Sequence, residues 1–176
     1  DIIFDEWLKK TRYKALILAN VESLSDKQLE QIRDYVKNGG GLVATDETSH
    51  YDQWRRRRPS YGLAEVFGVD PAQREIKETI RNDYGKGRVV YIPRIIPSIE
   101  PERPGLSPMP RYRWIDSRYW HLPKNWEELV EAVEWVSRGI SLKVDAPLTT
   151  TIELLSQKHP DRLLLHLLNY DVKKPV

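Results

Sequence analysis

Three carboxylates stand where a parallel sheet would gather them: Glu22, Asp46 and Glu47. Each follows closely on a short apolar run, Tyr13 to Ala19 in one case and Gly41 to Ala44 in the other. If those runs are adjacent strands, the three acids lie near one another. A carboxylate pair in such a place can do general acid and base work, as in glycosidases. Acidic residues at strand ends also cap helices or pair with loop arginines. With no second domain to complete a pocket, the structural role outweighs the catalytic one.

Other chemistries find less support. The chain has no cysteine, which excludes disulfides, thiolate metal sites and a thiol nucleophile. Its histidines are His50, His121, His159 and His166, and no two are spaced i,i+3 or i,i+4. Without that spacing or an HExxH pattern we expect no metal site, and we expect no cofactor. Gly39-Gly40-Gly41 follows a helical pattern and precedes a strand, the reverse of a phosphate loop. Gly85-Lys86-Gly87 reads as a turn, and Ser49 does not sit in GxSxG. The run Arg55 to Arg58, with Trp54 and Tyr61 nearby, could contact phosphates and stack bases. Lys+Arg total 28 against 26 Asp+Glu, so no overall charge supports that partner. A solvated loop, or one paired with acids across a subunit interface, fits better. We expect neither a nucleic-acid nor a membrane partner, because no apolar run approaches the roughly 20 residues of a membrane helix.

The elements that must position these groups are legible in one stretch, Tyr13 to Tyr51. Tyr13 to Ala19 has the uninterrupted apolar character of a strand buried on both faces. Ser25 and Gln28 fit a capping box. Leu29, Ile32 and Val36 then mark one helical face, and Gly39 to Gly41 stop the helix. Gly41 to Ala44 restarts as a buried strand. The result is a βαβ unit, and ligands of such sheets bind beyond the carboxyl ends of the strands.

The rest of the chain follows more loosely. Asp1 to Thr11 is an entry segment, and Tyr61 to Phe67 a short helix closed by Gly68. Val69 to Tyr84 is ambiguous between helix and strand. Arg88 to Ile92 is a third strand. Seven of the twelve prolines fall between Pro93 and Pro123, which rules out regular pairing there and predicts a long loop. That loop carries Trp114, Tyr119, Trp120 and His121. Asn125 is placed to cap a helix running to about Ser137, with Gly139 as its stop. Leu142 to Val144 reads as a short strand. Thr149 to Leu155 and Arg162 to Tyr170 read as an antiparallel hairpin added to the sheet.

The 176 residues suffice for a single domain with a real core. The sequence opens on Asp1 without Met and closes just after an apolar strand. We therefore expect one domain, 1–176, truncated at both ends and belonging to a longer chain. The expected location is the cytoplasm, with a removed leader left open.

The pattern YKALILANVESLSDKQLEQIRDYVKNGGGLVATDETSHYD resembles the β-galactosidase trimerisation domain, the class I glutamine-amidotransferase-like module of family 42 and related glycoside hydrolases. The pieces YGLAEVFGV, YGKGRVVYIP, LPKNWEELVEAVEWV and LLLHLLNYD resemble later landmarks of such domains. The resemblance implies a flavodoxin-like three-layer α/β sandwich, with a mainly parallel sheet and a C-terminal antiparallel hairpin. It places Asp46 near the position where the amidotransferases carry their cysteine nucleophile, so glutaminase chemistry is not implied. It implies instead a non-catalytic module of a carbohydrate-metabolising hydrolase, assembling as a homo-oligomer such as a trimer and walling a barrel domain of the same protein. Trp54, Arg55, Tyr61, Trp114, Tyr119, Trp120 and His121 are then the expected interface or carbohydrate-contact residues. The alternatives are a sugar-active hydrolase using Glu22, Asp46 or Glu47, and a stand-alone carbohydrate-binding module.

Overall fold

The computed structural model describes residues 13–70, 76–99 and 121–170. They belong to two compact units, one drawn from Asp1–Ser98 and Leu122–Ser141, the other from Ile99–His121 and Leu142–Val176.

The first unit is built on a four-stranded sheet. Its strands are β1 (Ala15–Leu18), β2 (Gly41–Thr45), β3 (Ile80–Tyr84) and β4 (Gly87–Ile92), in the order β1-β2-β4-β3. β1 and β2 are parallel, with Leu16 opposite Leu42, and β2 and β4 are parallel, with Val43 opposite Val90. β3 returns antiparallel to β4. The ambiguous stretch before Tyr84 thus ends as a strand. Its half-buried Ile80, Asn82 and Tyr84 alternate with exposed Arg81 and Asp83, the period of two that a strand requires.

Helices cover both faces. Helix α1 (Asp26–Lys37) starts in the expected capping box: the Gln28 N–H donates to Ser25 Oγ at 3.3 Å, and the Ser25 N–H donates to Gln28 Oε1 at 2.9 Å. Its Leu29, Ile32 and Val36 are buried in a cluster with Leu42, Ala44, Val89 and Tyr91. The four-residue helix α2 (Ala64–Phe67) adds Val66 and Phe67 to the same cluster and ends at Gly68 with φ 75°. On the opposite face, helix α3 (Trp126–Ser137) sets Ala132 and Val136 against Val43, Val90 and Ile92. Alternate residues of β2 therefore enter different cores, and the whole strand is buried. Each fully buried aliphatic side chain here stabilises the fold by about 1.5–3 kcal/mol.

Several local expectations are corrected. Burial on both faces holds for β2 but not for β1. The α3 cluster reaches Ala15, whereas Ile17, on the same face of β1, is 51% exposed. β1 is an edge of the described sheet, and an edge strand has fewer neighbours to cover it. Asn125 precedes α3 without capping it. Its Oδ1 accepts from Ile96 N at 2.9 Å and its Nδ2 donates to the Arg94 carbonyl at 3.0 Å, so it ties the helix start to the segment after β4. The helix stop begins one residue before Gly139, at Arg138, which has φ 58°. Residues 142–144 form no strand.

The second unit, as described, is a hairpin of β5 (Thr150–Lys158) and β6 (Asp161–Asn169), turning at the cis His159–Pro160 bond. It forms its own two-stranded sheet, paired from Thr150 opposite Asn169 to Lys158 opposite Asp161, and does not extend the larger one. No described helix is long and apolar enough to cross a membrane.

Candidate functional site

Parallel β1, β2 and β4 release their chains at one edge of the sheet, and that edge carries Glu22, Asp46 and Glu47. Two threonines organise it. Thr45 Oγ1 accepts from the Asn20 N–H at 3.0 Å, and Thr48 Oγ1 from the Val21 N–H at 3.1 Å. The segments after β1 and β2 then run side by side. Ser49 N donates to Val21 O, Tyr51 N to Glu22 O, each at 2.9 Å, and Leu24 N to Tyr51 O at 3.1 Å. The tight path puts Asp46 and Ser49 in the left-handed region, at φ 51° and 68°. Asp is among the residues that tolerate this conformation best after glycine.

Each of the three carboxylates has its own partner. Asp46 Oδ1 accepts from the Ile95 N–H at 3.1 Å, which fixes the chain leaving β4. Glu47 Oε2 lies 2.6 Å from His50 Nδ1, and the Glu47 N–H donates to Asn20 Oδ1. Glu22 Oε2 meets Arg55 Nη2 at 2.8 Å. The structure brings the three acids to one edge, as the βαβ reading requires, and turns each towards bracing a different loop.

Behind them lies an aromatic stack. His50 is buried and stacks on Tyr61 with ring centroids 4.4 Å apart. Tyr61 meets Tyr91 edge-on, and Tyr91 stacks on Phe67 at 4.7 Å. The Tyr91 hydroxyl lies 2.6 Å from the Asp46 carbonyl and 3.1 Å from the Tyr61 hydroxyl. Burial pushes the Tyr91 phenol well above the ordinary tyrosine range, and its hydrogen bond to Tyr61 pushes it further the same way. Tyr91 therefore stays neutral and serves as a strut under the Asp46 turn. Tyr61, expected at an interface, is half-buried in this stack.

The loop from Tyr51 to Arg58 is built around Asp52. Its Oδ1 accepts from the Trp54 N–H at 2.8 Å and the Arg56 N–H at 2.9 Å, an Asx turn. Those two backbone donors, led by Arg56, hold the Asp52 carboxyl below the usual carboxylate range. Asp52 O accepts from Arg55 N, Arg56 O accepts from Asp52 N, and Arg55 takes φ 58°. Arg58 closes the base: Nη2 donates to the Leu24 carbonyl at 3.0 Å and pairs with Asp26 at 2.7 Å. Trp54 is left at the tip, 70% exposed.

His121 is exposed, and Trp114, Tyr119 and Trp120 lie outside the described residues. Among the described residues no group of histidines and carboxylates is arranged to hold a metal ion. Sequence reasoning missed Asp52, His50 and Tyr91. Asp52-Gln53-Trp54 carries a readable Asx-turn signal. The Tyr91 contacts have none, because they join segments 30 and 45 residues apart in sequence.

No family model matches the chain, and no curated protein does. Solved structures do. Gan42B, a GH42 beta-galactosidase, matches with a TM-score of 0.50 at 16% identity, over 81% of this chain and 24% of its own. A catalytic mutant of Gan42B from G. stearothermophilus matches with a TM-score of 0.50 at 16% identity, over 82% of this chain and 24% of its own. A beta-galactosidase from Bacillus circulans sp. alkalophilus matches with a TM-score of 0.51 at 12% identity, over 81% of this chain and 25% of its own. The chain thus spans about a quarter of the length of these enzymes, and at such identities the likeness is one of fold.

Proposed function

We propose that this chain is a non-catalytic assembly module of a glycoside-hydrolase-related protein. One observation carries the reading: Glu22, Asp46 and Glu47 are each engaged with a different partner, and the loop that Glu22 braces through Arg55 holds an exposed tryptophan. Catalysis by a carboxylate pair needs the two groups to face a shared space for sugar and water. Assembly needs a rigid surface with an aromatic anchor. The arrangement fits the second requirement. The fold likeness to about a quarter of two beta-galactosidases agrees with a module attached to a separate catalytic domain. On this reading Asp46, at φ 51° beyond β2, occupies the turn where an amidotransferase would hold its nucleophile and keeps only its structural part. The partners are other copies of the same protein, as a homo-oligomer such as a trimer, and the protein's own barrel domain.

Light scattering on the full-length protein across a dilution series tests this. A mass that is a multiple of the single chain, falling on dilution, is expected. A single-chain mass at every concentration would overturn the reading.

A further inference from the structure

The loop and the outer face of α3 complement each other in shape of charge. At the loop, Glu22 binds Arg55 and Asp26 binds Arg58. Arg56 and Arg57 are exposed and form no ion pair among the described residues. They follow the exposed Trp54 in the same loop, and the Trp54 backbone is already fixed by Asp52. The loop backbone thus has less ordering left to lose on binding, which favours a tight contact. On α3, Glu127, Val130, Glu131 and Glu134 follow i, i+3, i+4, i+7 and share one side. Glu127 and Glu131 are exposed, and Val130 between them is 48% exposed. Arg81 comes only to 3.9 Å from Glu131. The face therefore offers an apolar seat rimmed by acid.

We propose that the Trp54 loop of one chain docks on the α3 face of a second copy, with the indole on Val130 and Arg56 and Arg57 against Glu127 and Glu131. The proposal rests on the assembly reading and names its contact. The loop is tied to Leu24 and Asp26 at the start of α1, whereas α3 covers the other face of the sheet. The two patches lie on different layers, so their contact is heterologous. Contacts of that kind close into rings when the rotation allows. Tryptophan and arginine are the residue types that most often carry interface energy.

Sedimentation velocity of the full-length protein at low salt tests the contact, with circular dichroism as a check of folding. Trp54→Ala is expected to raise the dissociation constant about tenfold or more. Arg56→Glu with Arg57→Glu should dissociate the assembly, and so should Glu127→Lys with Glu131→Lys. Combining all four substitutions restores opposite charges across the contact and should restore association. Four outcomes are decisive. The expected losses followed by restoration support the proposal. An assembling wild type that survives Trp54→Ala and both charge reversals overturns this contact alone and leaves the assembly reading standing. Charge reversals that dissociate without mutual rescue also overturn the pairing. A wild type that never associates overturns the assembly reading, and the contact with it.

Discussion

The two sheets among the described residues are made of similar side chains and end in opposite conditions. β2 and β4 read GLVAT and GRVVYI, and helices bury them from both sides. β6 reads DRLLLHLLN, leucine at more than half its positions, yet Leu163, Leu165, Leu167 and Leu168 are all exposed. On the hairpin, Ile152 faces Leu167 and Leu154 faces Leu165, so one side is a continuous apolar strip. An isolated two-stranded hairpin is marginal in water. Strand propensity writes both elements, but only covering layers turn a strand into a core. What holds the first unit is α1, α2 and α3; among the described residues the hairpin has its ladder and cross-strand pairs.

Truncations measure that contrast most strongly. Phe67→Ala removes a fully buried ring from the α1 and α2 side and should cost about 3–5 kcal/mol in chemical denaturation. Leu165→Ala on the hairpin should change stability by only about 0.5 kcal/mol. Equal costs would mean that the hairpin strip is a core like the other.

Gly41→Ala probes how closely the covering layer approaches. A Cβ there would stand 2.6 Å from the Val136 carbonyl oxygen of α3 and 2.9 Å from that of Lys14. Both are backbone atoms that cannot swing aside, so a loss of about 1–3 kcal/mol is expected from thermal or denaturant melts. Ser25→Ala removes the reciprocal cap of α1 and should cost about 1 kcal/mol without altering the hairpin's amide exchange.

The smallest effect is the acid response of the Trp54 loop. The backbone donors lower the Asp52 pKa in the folded chain, Arg56 first. The bracing is therefore complete above the ordinary carboxylate pKa and is lost as pH falls through the depressed folded value. NMR of the Trp54 and Arg56 amides should show the loop loosening only at that low pH. The core amides of β2 should hold their positions over the same range.

How much of this was legible follows from how local each feature is. The capping box needs only Ser25 to Gln28, and the inward face of α1 needs only its own spacing, so both stand in the structure as the sequence indicates. The edge status of β1 depends on its neighbours, which is why Ile17 looks like a core residue in sequence and is half exposed. Asn125 looks like a cap because Asn often is one. Its side chain is drawn instead to Arg94 and Ile96, some 30 residues earlier in the chain. At the candidate site, the gathering of Glu22, Asp46 and Glu47 followed from a parallel βαβ unit. The partners of Glu22 and Asp46 did not, since Glu22 meets Arg55 and Asp46 meets the Ile95 amide across long sequence gaps.

On the proposed reading these carboxylates hold loops and do no chemistry. Asp46→Asn and Glu47→Gln, placed separately in the full-length protein, test it through the rate of aryl galactoside hydrolysis. Whatever turnover the full-length protein shows should survive both changes. Turnover abolished by either substitution, in a protein still folded and assembled, would contradict it.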